Sequence, residues 1–103
     1  MKLKKGVKLA GVKPETILAM NVVDSVYKDY NDELTVTCIT DSHKSGLHPK
    51  GWAFDCRIWA FSGKRLDALC KSIVKALTDE FDVVLEPTRD QPHIHIEFDP
   101  KNT

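Results

Sequence analysis

Two short stretches carry side chains that could do metal chemistry. The first, His48-Pro-Lys-Gly-Trp-Ala-Phe-Asp55, sets an imidazole at the mouth of a turn and a carboxylate on the strand that follows. The second, His93-Ile-His95, lies near the C-terminal end, where alternate residues of a strand put two imidazoles on one face, about 7 Å apart. A lone His–Asp pair is ordinarily a surface hydrogen bond, and a lone His-x-His can be two exposed or satisfied histidines. Both stretches in a chain with only 4 histidines point instead to one site. They offer two kinds of ligand from three places, the minimum for a catalytic zinc with one open position. Neutral imidazole with carboxylate favours that ion. Zinc polarises a carbonyl and brings the pKa of bound water toward neutrality, which suits amide hydrolysis, with a nearby carboxylate to move the water's proton to the leaving amine.

Period and turn chemistry supply the elements that must position these groups. Proline at position 14 and Glu15 suit a helix first turn. Ile17, Met20, Val23, Tyr27 and Tyr30 then recur at helical spacing to about residue 30. Residues 33–40 alternate and are rich in β-branched types, predicting a strand; 41–50 form a polar loop. In the strand over 51–60, Trp52, Phe54, Cys56 and Ile58 share one face, and Ala53, Asp55, Arg57 and Trp59 the other. A second helix runs from Lys64 to about Glu80 on a stripe of Leu66, Leu69, Ile73, Leu77 and Phe81, with Cys70 and Val74 beside it. Strands over 82–86 and 93–99 finish the chain, the last sending Ile94, Ile96 and Phe98 inward and His93, His95 and Glu97 to the opposite face. The order predicts an α+β fold: about four strands in a mainly antiparallel sheet, two helices on one face, and a polar groove on the other. Residues 1–12 read as a basic lead-in with at most a short extended piece.

Composition narrows the function classes. The 103 residues fit one domain, and 42% hydrophobic with 29% charged residues fit a globular protein. Fifteen basic residues balance 15 acidic ones, so no net field gathers nucleic acid. No apolar run is long enough to span a membrane, and Gly6-Val-Lys-Leu-Ala-Gly11 breaks any signal-like apolar region. Cys38, Cys56 and Cys70, odd in number and widely spaced, read as free buried thiols made in a reducing compartment.

The pattern Ser45-Gly-Leu-His48-Pro-Lys-Gly51-Trp-Ala53-Phe-Asp55-Cys-Arg57, with Val84-Leu-Glu86 and His93-Ile-His95-Ile-Glu97-Phe, resembles the zinc D-Ala-D-Ala carboxypeptidase/L-alanyl-D-glutamate endopeptidase family. Phage endolysins belong to it, and the zinc-binding domain of hedgehog proteins shares its fold. The likeness covers roughly residues 10–101 and looks closest to small phage-type members. It implies a hedgehog/DD-peptidase-like fold, with His48, Asp55 and His95 as zinc ligands and His93 helping to stabilise an oxyanion. Exchange of His93 and His95 is the alternative. The general base is implied to be Glu86, which ends a strand, or Asp90, three residues before His93. Family members often carry a serine two residues before the first histidine; Gly46 stands there, and Ser45, with Ser42 or His43, could replace its substrate contact or be plain loop polarity. Arg57 could hold a peptide carboxylate bidentately, or pair with Asp55 or Glu97. Glu97 would orient His95.

The resemblance implies a zinc-dependent hydrolase of peptidoglycan stem peptides. Such a protein is expected to be made in the cytoplasm, to act as a monomer on the cell wall after release or virion delivery, and to bind neither nucleic acid nor membrane. A non-catalytic zinc-binding module is the competing expectation. A non-haem iron oxygenase is weaker, because no tight His-x-Asp pair is present.

Overall fold

The computed structural model describes residues 1–40, 47–86 and 91–100. The elements are β1 (Lys2–Leu3), α1 (Pro14–Asp29), β2 (Thr35–Cys38), β3 (Ala53–Arg57), α2 (Gly63–Ala76), β4 (Phe81–Glu86) and β5 (His93–Phe98). Predicted helices and strands all form, most ends drawn in by one to four residues, while α2 and β4 each begin one residue early. Helix α2 stops at Ala76 rather than near Glu80, because Leu77 turns extended and Phe81 is used by β4, packed 5.0 Å from the Phe98 ring.

The fold is α+β, and the sheet corrects the expected strand count and pairing. It has five strands in the order β1-β2-β3-β5-β4 and is mixed, because β1 joins the edge parallel to β2. The N–H groups of Lys2 and Lys4 donate to the carbonyls of Leu34 and Val36, both at 2.8 Å, so part of the basic lead-in is sheet. The other neighbours are antiparallel, and β3 against β5 sets Phe54 opposite Ile96, Asp55 opposite His95, and Arg57 opposite His93.

One core holds the two helices on the sheet face that carries Val36, Phe54, Cys56, Ile94 and Ile96. Alternation delivers this directly: the apolar alternate residues of β3 and β5 face the helices, and Asp55, Arg57, His93 and His95 are left on the other side. Ala53 also falls on that other side, yet is fully buried.

Helix α1 buries Met20, Val23 and Tyr27 as its stripe predicts, with one exchange in its first turn. Ile17 is exposed and Thr16 is buried in its place. The Thr16 hydroxyl donates to the Gly51 carbonyl at 2.7 Å, a contact 35 residues away that no helical periodicity contains. Asp24 is buried as well, where its carboxylate accepts the Leu34 N–H at 3.1 Å and pairs with Lys28 at 3.2 Å. On α2, Leu69, Ile73 and Leu77 are buried as the stripe predicts, and Val74 is exposed. All three cysteines are free; Cys56 is buried, whereas Cys38 and Cys70 are only half-buried, contrary to expectation.

Candidate metal centre

The turn carrying His48 is closed by its own backbone and by α1. Gly51 N–H donates to the His48 carbonyl and Trp52 N–H to the Leu47 carbonyl, each at 2.9 Å. The Gly51 carbonyl in turn accepts from Lys13 N–H at 3.1 Å and from Thr16. Gly51 has φ +84, and a Cβ there would lie 2.1 Å from the Gly11 carbonyl oxygen. Both the left-handed backbone and the close approach therefore demand glycine. Gly51→Ala should destabilise the protein by roughly 2–4 kcal/mol and loosen His48 with it. Thermal unfolding checks this, and an unchanged Tm would show that the turn tolerates a side chain.

With the turn fixed, three atoms meet over the polar face of the sheet. His48 Nε2 lies 3.2 Å from Asp55 Oδ1 and 3.1 Å from His95 Nδ1, and His95 Nδ1 lies 3.0 Å from Asp55 Oδ1. Their side chains are about 15% exposed, at 15%, 15% and 14%. The far nitrogens fix the tautomers. His48 Nδ1–H donates to the Ile39 carbonyl at 2.9 Å, and His95 Nε2–H donates to Glu97 Oε1 at 2.7 Å. Both partners only accept, so a neutral imidazole in either place turns a bare lone pair toward Asp55. Three electron-rich atoms in mutual contact need a cation between them, a proton or a metal.

Electrostatics agree with that reading. Burial works against a charged His48, but the Asp55 carboxylate outweighs it and pushes its pKa up to about 10. Asp55 itself is pushed up by burial and pulled further down by His48 and His95, which hold it well below the usual carboxylate range. His95 is raised by Asp55 against burial, with Glu97 assisting.

A tetrahedral ion with bonds of about 2.0–2.1 Å separates its ligand atoms by about 3.3 Å, close to the triangle's edges. The donor set thus fits a metal, with Glu97 and the Ile39 carbonyl orienting the two imidazoles from behind. The structure brings His48, Asp55 and His95 together and gives Glu97 the orienting contact expected of it.

His93 stands beside the triangle. Its Nδ1–H donates to the Gln91 carbonyl at 2.9 Å, which turns Nε2 to a point 3.7 Å from Asp55 Oδ2 and 3.5 Å from Glu86 Oε2. Glu86, the last residue of β4, is the cross-strand neighbour of His93. Ser45 and Asp90 lie outside the described residues. Arg57 pairs with neither Asp55 nor Glu97 among the described residues; its guanidinium stacks 3.7 Å over the Trp59 ring.

Cys38 was missed as a site residue. Groups of side chains among the described residues could hold a metal ion, and one joins Cys38 to His48 and Asp55 within 4.8 Å. Its sulfur lies 3.6 Å from His48 Nδ1, the nitrogen already given to Ile39, so His95 rather than Cys38 completes the Nε2 triangle. The signal was present in the alternation of β2, but a bulge between Val36 and Cys38 decides which residue meets Asp55. A second group, Asp82, Glu97 and Asp99, shares Glu97 with His95.

No protein-family model, curated protein or solved structure matches the chain. Among the described residues, no helix is long and apolar enough to cross a membrane.

Proposed function

We propose that the chain is a zinc-dependent peptidase that hydrolyses amide bonds in peptidoglycan stem peptides. The observation that carries this is the triangle of His48 Nε2, Asp55 Oδ1 and His95 Nδ1, whose Asp55 lines a cavity and which is flanked by the Glu86 carboxylate and the His93 imidazole. The resemblance of the His48–Asp55 and His93–Glu97 patterns to the D-Ala-D-Ala carboxypeptidase/L-alanyl-D-glutamate endopeptidase family, with its hedgehog/DD-peptidase-like fold, supports the choice of reaction and substrate. A zinc ion held there supplies Lewis acidity for the scissile carbonyl and for the attacking water.

The protein's own groups do the rest. Glu86, half-exposed at the end of β4, accepts the proton of water as its oxygen adds to the carbonyl carbon. It returns that proton to the amide nitrogen as the C–N bond breaks, leaving an acid and an amine. His93, whose Nδ1–H is given to the Gln91 carbonyl, turns Nε2 toward the site, and the protonated ring donates from it to the oxyanion. Asp90 is the alternative base.

A second reading, a non-catalytic zinc module, is favoured by one observation: Cys38 lies near enough to His48 and Asp55 to close the coordination. Structural zinc sites are closed in this way, whereas catalytic ones keep a position open.

The test is turnover by zinc-loaded protein on peptidoglycan, with products read by mass spectrometry. New amine ends on stem peptides, lost on chelation and restored by zinc, are expected. Bound zinc without new amine ends on any peptidoglycan type, together with weaker zinc binding in Cys38→Ser, would overturn the peptidase in favour of the module.

A further inference from the structure

The three corners of the triangle are placed by different means. Asp55 and His95 are cross-strand partners on β3 and β5, so the sheet ladder fixes them against each other. His48 lies outside the ladder, on the turn that leads into β3. The Ile39 carbonyl orients its ring, but the turn decides where that ring starts from.

One segment, residues 8–16, holds the chain on both sides of His48. On the β2 side, the Thr40 N–H and hydroxyl both donate to the Lys8 carbonyl, at 3.1 and 2.9 Å and across 32 residues. On the β3 side, the Lys13 N–H and the Thr16 hydroxyl both donate to the Gly51 carbonyl, at 3.1 and 2.7 Å. Val12, between these ties, packs against the core and anchors the segment. Of the two hydroxyls, only that of Thr16 belongs to a buried residue, 1% exposed. Shielding from water strengthens such a bond. The hydroxyl also serves no purpose within its own helix, since α1 has no side-chain cap. Thr16 thus takes a buried place that an apolar residue would ordinarily fill, while Ile17 beside it is 42% exposed. A local rule broken in this way marks a position held for another reason.

We propose that Thr16 is a positioning residue for the metal centre: through the Gly51 carbonyl, it sets where His48 stands over Asp55 and His95. Metal affinity is thereby controlled from a residue that is not itself a ligand. The role rests on the metal centre and not on the reaction proposed for it.

The test reads zinc affinity by competition with a chelator of known affinity, beside thermal unfolding of the metal-free protein. Thr16→Val removes the hydroxyl and keeps the shape. It is expected to weaken zinc binding about three- to tenfold, the worth of one buried hydrogen bond. Thr16→Ser, which keeps the hydroxyl, should recover most of that loss. A merely structural threonine would lower the Tm and leave the affinity of the folded protein alone. Thr16→Val with wild-type zinc affinity therefore overturns the role, whatever its Tm. A double-mutant cycle locates the effect. In a His48→Ala background, Thr16→Val should leave the remaining affinity unchanged, and an equal loss there would overturn action through His48. The two ideas fail separately. A wild type that binds no zinc removes the metal centre and the role with it; zinc binding that Thr16→Val leaves unaltered removes the role alone.

Discussion

Asp55→Ala is expected to weaken zinc binding by on the order of 10²–10³-fold, more than any other single change in the chain. Structural zinc sites bind with about 10–16 kcal/mol from four ligands, so one ligand carries roughly 3 kcal/mol or somewhat more. Asp55 is the member that touches both imidazoles. Its Oδ1 sits 3.2 Å from His48 and 3.0 Å from His95, and it brings the triangle's only formal negative charge. Without it, two imidazole nitrogens remain 3.1 Å apart with their lone pairs facing. Asp55→Asn keeps the shape and loses the charge, so it should lie between wild type and the alanine variant. Competition with a chelator of known affinity measures the effect. Wild-type affinity in Asp55→Ala would eliminate the triangle as a metal site.

Glu86→Gln is expected to lower kcat by about 10²–10⁴-fold while zinc content stays at the wild-type level. The change is isosteric, and the side chain is 43% exposed, so stability should shift by no more than about 0.5 kcal/mol. What disappears is a carboxylate oxygen 3.5 Å from His93 Nε2, able to carry a proton from water to the leaving nitrogen. Parallel measurement of kcat and bound zinc separates the base from a ligand. Loss of zinc in Glu86→Gln would make Glu86 part of the metal's environment. Full activity in Glu86→Gln with loss in Asp90→Asn would move the base to Asp90.

These expectations drew unequally on sequence and fold. That Asp55 and Arg57 share one side of their strand, that His93, His95 and Glu97 share one side of theirs, and that Phe54, Ile94 and Ile96 point the opposite way is legible in the chain. A strand repeats every second residue whatever it pairs with. The same rule places Glu97 two residues from His95, near enough to orient it. The buried faces of the amphipathic helices were legible too, Met20, Val23 and Tyr27 on one and Leu69 and Ile73 on the other, apart from Ile17.

Contacts between distant segments decided the remainder. Alternation puts Asp55 and His95 on one side of their strands; only the β3–β5 register sets them opposite each other, with Arg57 against His93 instead. A slip of two residues would set His93 opposite Asp55 in place of His95. In the first turn of α1 the Thr16 hydroxyl reaches the Gly51 carbonyl, and Thr16 is buried where Ile17 was expected. The lead-in became an edge strand because β2 offers its carbonyls to Lys2 and Lys4, and so Lys4 came to line a cavity beside residues more than 30 positions away. Cys38 arrived near His48 through a bulge. The sequence by itself therefore determined which side chains share a face, since that follows from backbone geometry within one strand. Which of them touch was left to pairing register, a bulge and a buried hydroxyl, each of which depends on residues far apart in the chain.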